Sequence, residues 1–373
     1  PVLVFLVTQD WYFMSHRVPM ARAARAAGYD VHVITHVDKD GGAIEALGFH
    51  VHPMNWRRGS LNPFALFANI RAVRHLYREI SPDLVHHVAL RPTIAGSFAA
   101  AGLPCARLNA VAGLGFVFTS ETLKARLVRP LFRIVLRSVL GNARAAVLVQ
   151  NPDDRAAIKT LGIADDRIFI IAGSGVETDK FTPLPEPPDP LTMAFVGRLL
   201  DDKGVRTLIN AHEILARRGQ PVRLLIAGEP DPANPVSIPM EEIREWSRRP
   251  GIEVLGQVLD IGKVWEAAHI AVLPSRREGL PKSLLEAAAF GRPIVATDVP
   301  GCREIARQGI NALLVPPDNA DALADAIARL ANDQNLRRKF GEAGRRLVES
   351  EYSAERVGAN IVALYDRLLG RKR

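Results

Sequence analysis

Two glutamates, Glu278 and Glu286, stand with seven residues between them in the stretch SRREGLPKSLLEAAAF. The apolar run over 270–274 precedes them and predicts a buried strand. Pro281 suits the first turn of a helix, and the pattern predicts that helix over 282–290. The sequence therefore predicts one carboxylate in the loop at a strand end and the other about one turn inside the following helix.

The start of such a helix could hold phosphate, because its backbone N–H groups carry the positive end of the helix dipole. A carboxylate one turn further in could accept hydrogen bonds from the vicinal hydroxyls of a ribose. A loop carboxylate could hold the hydroxyls of a second ring. That layout suits a nucleotide-sugar, with its ribose on Glu286, its diphosphate over the backbone of 279–283 and its sugar near Glu278. Two glutamates considered alone are more often solvated surface residues.

A second stretch, VGRLLDDKG (196–204), follows another predicted strand and supplies two cations. The guanidinium of Arg198 and the ammonium of Lys203 could neutralise a diphosphate without a metal ion. Either cation alone would more often be a surface residue. Two cations and two carboxylates in loops at matching strand ends instead indicate one binding site for a charged ligand.

Other kinds of site find little support in the sequence. The Asp-x-Asp string over 38–40 precedes two glycines and is interpreted as a solvated turn, so no metal site is predicted. The loop predicted over 8–17 lacks the Gly-x-Gly-x-x-Gly pattern, which argues against a nicotinamide oxidoreductase. Cys105 and Cys302 are isolated, without zinc or redox spacing, and are expected to be buried thiols in a reducing compartment.

The site residues belong to a repeating pattern of strands and helices, which predicts parallel sheets and an α/β fold. The pattern predicts a helix over 16–28. It is interrupted at TPLPEPPDP (182–190), which is interpreted as a linker because it holds five prolines. Two successive doubly wound domains are the simplest architecture, with the site in a cleft between them. The other predicted strands are 2–7, 31–35, 83–88, 106–111, 145–150, 192–197, 223–228, 252–256 and 293–298.

The region over 170–350 resembles the nucleotide-sugar domain of the family 4 glycosyltransferases. The family's Glu-x7-Glu motif is matched by Glu278 and Glu286, and its Gly-Arg-Leu and Lys-Gly elements by 197–199 and 203–204. The resemblance implies the GT-B fold, in which two Rossmann-like domains face each other across a cleft. Three further segments match the family: 175–183, 291–305 and 311–327. The resemblance implies an acceptor domain over 1–178 and a donor domain over 179–355. It also implies a terminal helix over about 356–373 that packs back on the first domain.

The resemblance also implies roles for individual residues. Arg198 and Lys203 would bind the donor diphosphate and stabilise the leaving group, and Glu278 would hold the donor sugar, which makes these three the catalytic residues. The reaction would retain the anomeric configuration and need neither a metal nor a cofactor. The donor-binding residues implied are Glu286 on the ribose, Gly256 and Val258 beside the base, and Gly197, Gly279, Leu280, Pro281, Lys282 and Ser283.

The loops at the predicted ligand edge of the first domain would bind the acceptor. They resemble a bacterial branch of the family that builds polysaccharide on undecaprenyl diphosphate. Many family members place a histidine at the end of the strand matching 106–111, where this chain has Asn109 and Ala110. His86 or His87 on the preceding strand could substitute for it. A lone histidine on a strand is, however, more often structural. The acceptor-binding candidates are Ser15, His16, Arg17, His86, Arg91, Asn109 and Gly113.

Positive charge is concentrated in one part of the chain. The net charge is +8, and residues 51–150 hold thirteen Lys and Arg against three Asp and Glu. Two stretches, 62–80 and 123–141, place arginines at helical spacing beside apolar residues, a pattern typical of helices on anionic membranes but also of helices with solvated arginines. Aromatic residues are not interleaved with the basic ones, which argues against nucleic acid as a partner. The arginines expected to contact the membrane surface are Arg71, Arg74, Arg126, Arg129, Arg133 and Arg137.

Taken together, these features predict a retaining glycosyltransferase that moves a sugar, from a UDP-linked donor, to a polyprenyl-diphosphate-linked sugar in glycan biosynthesis. It would be peripheral on the cytoplasmic face of the membrane. Alternatives are a transferase of the same fold with a soluble acceptor, a nucleotide-sugar epimerase, or a non-catalytic nucleotide-sugar-binding subunit. The intact set of two cations and two carboxylates argues against the last of these.

Overall fold

The structure, a computed structural model, describes residues 1–56, 63–111, 123–232 and 234–371, with the side chains of Pro63 and 123–128 excepted. The chain forms two compact units. Unit 1 comprises Pro1–Ser174 together with Ala354–Arg373, and unit 2 comprises Gly175–Ser353. Each unit is built around one parallel sheet.

The sheet of unit 1 has seven parallel strands in the order β3-β2-β1-β4-β5-β6-β7. Its central strands are mostly apolar and are buried on both faces, as expected for a parallel sheet covered by helices. The strands are β1 (Val2–Gln9), β2 (Asp30–His36), β3 (His50–Pro53), β4 (Leu84–Val88), β5 (Ala106–Ala110), β6 (Ala145–Val149) and β7 (Ile168–Ile170).

Helices connect these strands in the described part of unit 1. They are α1 (Asp10–His16), α2 (Val18–Ala26), α3 (Gly41–Ala46), α4 (Pro63–Ile80), α5 (Leu90–Ala99), α6 (Leu123–Leu140) and α7 (Pro152–Lys159), with α15 (Ala354–Leu368) added from the end of the chain.

The structure differs from the sequence-based expectation at three places in unit 1. Strands β3 and β7 were not predicted, because a short edge strand carries too few apolar residues for a periodic signal. The expected loop over 8–17 is mostly the helix α1, and Ser15 and His16 end that helix instead of opening the next one. The single helix expected over 16–28 begins at Val18 instead, because Arg17 lies between α1 and α2 and has a non-helical backbone.

The terminal helix α15 completes the core of unit 1. Its side chains Ile361, Val362 and Tyr365 are buried in the same apolar cluster as strand β1 and helix α2. The phenol of Tyr365 lies 2.7 Å from Nδ1 of His86 on β4. A Cβ atom at Gly358 would lie 2.7 Å from Cβ of Ala23, so the absence of a side chain there permits the close approach of α15 to α2.

The sheet of unit 2 has six parallel strands in the order β10-β9-β8-β11-β12-β13. The strands are β8 (Thr192–Val196), β9 (Arg223–Ala227), β10 (Ile252–Gly256), β11 (Ile270–Leu273), β12 (Ile294–Thr297) and β13 (Ala312–Val315). The helices in the described part are α8 (Val205–Arg217), α9 (Met240–Trp246), α10 (Ile261–Glu266), α11 (Lys282–Ala289), α12 (Pro300–Ile305), α13 (Ala320–Ala331) and α14 (Gln334–Glu351).

The proline-rich stretch has neither helix nor strand over 183–190, as its composition predicts, but it lies within unit 2. It is anchored there by charged side chains. Arg292 donates to the carbonyl oxygen of Pro185 at 2.9 Å, and Glu186 forms an ion pair with Arg337. The stretch is therefore a packed segment of unit 2, and the interpretation as a free linker is wrong.

In both sheets the strand order reverses at one point, between β1 and β4 in unit 1 and between β8 and β11 in unit 2. In doubly wound sheets, ligands bind at such a point beyond the carboxyl ends of the strands. Within the described residues, no helix is both long enough and apolar enough to cross a bilayer.

Candidate functional site

In unit 2 the loops after β8 and β11 meet because these strands are neighbours across the switch point. Nζ of Lys203 lies 2.5 Å from Oε1 of Glu278, and the two side chains are 22% and 8% exposed. Ser275 donates to the same carboxylate oxygen at 2.6 Å. The structure thus brings together two of the three residues predicted to be catalytic, and the Lys203 side chain stays partly exposed.

Arg198, the third of these residues, follows β8 after Gly197. Its Nη1 donates to Oδ2 of Asp231 at 2.8 Å, and the Arg198 side chain remains 47% exposed. The backbone N–H of Asp231 in turn is bonded to Ser237 Oγ at 2.9 Å. Asp231 therefore holds Arg198 in position beside the strand end while leaving part of its donor fork accessible, and sequence reasoning missed this partner because 33 residues separate the two.

Glu286 lies inside helix α11, and its side chain is only 8% exposed. Burial raises the pKa of this carboxyl, and the ammonium of Lys282, at 3.0 Å from Oε1, opposes that rise. A carboxylate in a buried position with a single nearby cation is costly for folding. A buried carboxylate that destabilises the fold in this way is typical of a binding or catalytic residue.

The loop that carries Glu278 is fixed from several sides. Thr297 on β12 donates to the carbonyl oxygen of Ser275. The guanidinium of Arg276 donates to Asp318 at 2.7 and 2.9 Å and also pairs with Asp201 in the loop after β8. Since these side chains tie the two loops together, the Lys203–Glu278 pair is held in place before any ligand binds.

Two glycines permit the close packing of these loops. Gly204 has φ +69°, and a Cβ there would lie 2.0 Å from the carbonyl oxygen of Pro274. A Cβ at Gly301 would lie 2.6 Å from the carbonyl oxygen of Glu278 and 2.4 Å from that of Gly279. A side chain at either position would displace the loop beside β11. Sequence reasoning missed the role of Gly301, because a glycine near a helix start carries no local signal of close approach.

The remaining donor-binding candidates lie in two places, at the start of α11 and at the end of β10. Helix α11 begins after Pro281, which provides no side-chain cap, so the first-turn N–H groups of Lys282 and Ser283 have no acceptor within the helix. Gly279 and Leu280 form the half-buried turn before it. Gly256 ends β10 with φ +66°, and its carbonyl oxygen accepts from Gly228 at 2.7 Å. Val258, two residues after Gly256, lines a separate groove beside α10.

In unit 1 the segment after β1 carries three of the acceptor-binding candidates. Ser15 Oγ donates to the carbonyl oxygen of Trp11 at 2.8 Å and lies 2.6 Å from Nδ1 of His16. The ring of His16 stacks on Tyr12 with centroids 4.4 Å apart. Arg17 is buried, with its guanidinium 5.9 Å from the centre of the Tyr12 ring. These contacts fix the positions of all three side chains.

Asp10, which the sequence did not single out, organises the same edge. Its buried carboxylate accepts from the backbone N–H groups of Asp38, Lys39 and Asp40 at 2.8, 3.0 and 2.8 Å. Burial alone would raise the pKa of Asp10, but these N–H donors together with that of Trp11 hold the pKa below its usual range. The Asp-x-Asp string is therefore a turn that binds an internal carboxylate, which joins the loop after β2 to the start of α1.

The candidates on β4 and β5 are buried. His86 faces Tyr365 of α15, and burial holds its pKa well below the usual range. His87 contacts Asn109 Oδ1 at 2.8 Å and Tyr77 Oη at 3.1 Å, and burial lowers its pKa to about 4. Neutral histidines bonded within a core fit a structural role.

Two acceptor-binding candidates remain, and the structure describes one of them. Arg91 lies half-buried in the first turn of α5, directly after the end of β4, where burial lowers the pKa of its guanidinium. Gly113 lies outside the described residues. Arg91 is therefore the candidate from this part of the chain with some exposure at the strand-end edge.

Comparison with known families matches both units of the chain. Residues 190–333 match the model described as glycosyl transferases group 1, and residues 3–146 match the model described as glycosyl transferase 4-like. This chain is a glycosyltransferase whose two units match the group 1 and the 4-like family models. The two loops with Arg198, Lys203 and Glu278 and the helix with Glu286 all fall within the group 1 match.

Two curated relatives are similar to this glycosyltransferase over nearly their whole length. The N,N'-diacetylbacillosaminyl-diphospho-undecaprenol alpha-1,3-N-acetylgalactosaminyltransferase of Campylobacter jejuni is 26% identical, over 96% of this chain and 98% of the relative. The capsular polysaccharide biosynthesis glycosyltransferase CapM of Staphylococcus aureus is 24% identical, over 95% of this chain and 96% of the relative.

Solved structures have the same fold as this glycosyltransferase. The sucrose-phosphate synthase of Thermosynechococcus elongatus aligns with a TM-score of 0.84 at 21% identity, over 99% of each chain. Anabaena HepE in complex with UDP-glucose aligns with a TM-score of 0.77 at 15% identity, over 98% of this chain and 99% of that one. The fold is thus of the GT-B type, with two Rossmann-like units, as the sequence predicts.

Proposed function

We propose that this glycosyltransferase moves a sugar from a UDP-linked donor to a polyprenyl-diphosphate-linked sugar, with retention of configuration and without a metal ion. The observation that carries the proposal is the ion pair of Lys203 and Glu278 at the switch point of unit 2, with Arg198 and the buried Glu286 in the same loops and helix. The relative from Campylobacter jejuni is named for a diphospho-undecaprenol-linked acceptor, and HepE is described with UDP-glucose, which support the acceptor and the donor respectively.

In the proposed reaction the bond from the anomeric carbon to the donor phosphate breaks, and a bond from the same carbon to an acceptor hydroxyl forms on the same face of the sugar. The departing diphosphate takes the proton of that hydroxyl. Arg198 and Lys203 stabilise the negative charge that develops on the diphosphate, since both cations are held in advance by Asp231 and Glu278. Glu278 then accepts hydrogen bonds from the donor sugar, and Glu286 accepts them from the ribose.

The test is a turnover assay with labelled UDP-, GDP- and ADP-sugars in EDTA, with and without a short-chain polyprenyl-diphosphate-linked sugar. We expect transfer from a UDP-sugar to the lipid-linked acceptor, with the same anomeric configuration in donor and product by NMR. Conversion of the donor sugar without an acceptor would indicate an epimerase. Transfer to soluble sugars alone would indicate a soluble acceptor, and donor binding without any turnover would indicate a binding subunit.

We further propose that unit 1 rests on the cytoplasmic face of an anionic membrane through α4 and α6. Both helices pack against α5, so they lie in one helix layer. Phe64 and Phe67 on α4 and Leu131 and Ile134 on α6 are 61% to 83% exposed, which is unusual for large apolar side chains on two helices that pack against the same third helix. Apolar side chains beside arginines suit the interface of an anionic bilayer.

The arginines contribute unequally to this surface. Arg74 donates to the carbonyl oxygens of Ala99 and Ala101, and Arg133 donates to that of Thr160. The guanidinium of Arg137 lies beside Gly162. These three side chains make contacts within unit 1, so they are only partly available to a membrane. Arg129 is half-buried, and the side chain of Arg126 lies outside the described residues. The proposed membrane contact therefore depends mainly on the four apolar side chains and on the exposed Arg71.

Replacing Phe67 by serine is expected to weaken vesicle binding about tenfold or more, because a buried phenylalanine contributes about 1.5–3 kcal/mol. The measurement is co-flotation with vesicles that contain phosphatidylglycerol, compared with vesicles of phosphatidylcholine alone. Leu259→Ser is the matched control, since Leu259 is 95% exposed but lies in unit 2. Absence of flotation at low salt, or an equal loss in the control, would contradict the membrane proposal.

A further inference from the structure

The amino ends of strands β2 and β3 bring together a carboxylate and three imidazoles. Asp30 and His32 are two positions apart along β2, so they point to the same face of the sheet. His50 and His52 do the same on β3, where His50 pairs with His32 in the strand register. Four side chains able to bind a metal, two from each strand, therefore lie on one face at the edge of the sheet.

Three of these side chains converge on one point. The ligand atoms of Asp30, His32 and His50 all lie within 4.8 Å of one another. Nε2 of His50 is 3.1 Å from Oδ1 of Asp30, and Nε2 of His32 is 3.3 Å from Oδ2 of the same carboxylate. Ligands at about 2.0–2.2 Å from a tetrahedral Zn²⁺ are roughly 3.3–3.6 Å apart. Each imidazole nitrogen already lies near that spacing from one of the two carboxylate oxygens of Asp30.

A fourth side chain orients one of the three. Nδ1 of His32 lies 2.9 Å from Nε2 of His52, and their rings are stacked with centroids 5.1 Å apart. In metal sites, the second nitrogen of a ligating histidine usually bonds to a neighbour that fixes the direction of the ring. His52 would do this for His32 and is therefore a positioning residue, not a ligand.

We propose that Asp30, His32 and His50 bind one divalent transition-metal ion, with Zn²⁺ as the ion that fits best. Two imidazoles and one carboxylate suit Zn²⁺ better than Mg²⁺ or Ca²⁺, which prefer oxygen ligands alone. Since Asp30 and His50 are exposed and His32 is half-buried, an ion can reach the site from solvent and keep water as its remaining ligand.

The position of the site indicates what the ion does. Asp30 and His50 are the first residues of their strands, whereas the segment after β1 and the start of α5 follow the opposite, carboxyl ends. The ion would therefore stand apart from the acceptor-binding candidates. It would clamp the edge strand β3, which pairs only with β2 among the described strands, and it would stabilise unit 1 without taking part in transfer.

The experiment is isothermal titration of the untagged, EDTA-stripped and desalted full chain with Zn²⁺ alone, together with thermal melts with and without Zn²⁺. We expect one ion per chain and a higher melting temperature in Zn²⁺. His50→Ala and Asp30→Asn are each expected to weaken binding at least tenfold and to remove the rise in melting temperature. His52→Ala is expected to weaken binding about tenfold through the orientation of His32.

His75→Ala is the matched control, because His75 is an exposed histidine 3.7 Å from the carboxylate of Glu79 in the same unit but outside the cluster. It should bind Zn²⁺ as the parent chain does. The melt in EDTA shows whether each variant folds, and both Asp30 and His50 are exposed enough that their replacement should leave the metal-free fold intact. No saturable binding by the parent chain, or equal affinity in His50→Ala, would overturn the proposal.

Discussion

Glu286→Gln is expected to lower donor affinity by about 10- to 100-fold while leaving the chain at least as stable as the parent. A hydrogen bond to a charged group contributes about 1.5–3 kcal/mol, and each 1.4 kcal/mol is a factor of about ten in affinity. The glutamine keeps the size of the side chain but removes the charge that would hold the ribose hydroxyls. Donor affinity is measured by isothermal titration with UDP and with the UDP-sugar.

The stability of this variant should depend on pH in a defined direction. Burial raises the pKa of Glu286 in the folded state above its unfolded value. The folded state therefore binds the proton more tightly, and ionisation costs stability. That cost is absent below the unfolded pKa of about 4.3 and complete above the folded pKa. The stability of Glu286→Gln relative to the parent should thus rise as the pH increases through this window, as denaturant unfolding can measure.

Glu342→Gln is the matched control, since Glu342 pairs with Arg346 across the same i,i+4 spacing but is exposed. It should change neither donor affinity nor the pH dependence of stability. Unchanged donor affinity in Glu286→Gln would mean that the ribose assignment is wrong. A stability difference that falls with rising pH would instead contradict the proposed cost of the buried charge.

Lys203→Met is expected to reduce kcat by about 10²- to 10³-fold, because it removes a cation aimed at the charge that develops on the leaving diphosphate. The methionine keeps most of the apolar stem. It also leaves Glu278, 8% exposed, without its ammonium partner, which should cost about 2 kcal/mol of stability. The measurement is kcat at saturating donor and acceptor, taken well below the melting temperature of the variant so that unfolding does not contribute.

Arg218→Ala provides the control for a general loss of ion pairing in unit 2. Arg218 pairs with Asp325 and Asp321 at the far end of α8, and all three side chains are exposed. This variant should retain the kcat of the parent. If Lys203→Met also keeps its kcat, the ammonium does not stabilise the leaving group, and the Lys203–Glu278 pair would be structural.

The amino-acid sequence by itself determined the central elements of the fold and the residue types of the site, whereas the edge strands β3 and β7 and the helix α1 were missed. Short, mostly apolar runs identified the central strands, of which β6 is apolar throughout, because burial on both faces favours such runs. The spacing of Glu278 and Glu286 placed one in a loop and one in a helix, which is where the structure has them. These features are local, so they can be read from a few consecutive residues.

The tertiary structure decided which of these residues meet. Lys203 reaches Glu278 across 75 residues only because β8 and β11 are neighbours in the sheet, and Gly301 matters only because the loop beside β11 packs against it. His86 became a core residue because α15 returns from the end of the chain to cover it, and His32 meets His50 only through the pairing of β2 with β3. Contacts of this kind depend on strand order and helix packing, which local periodicity does not encode.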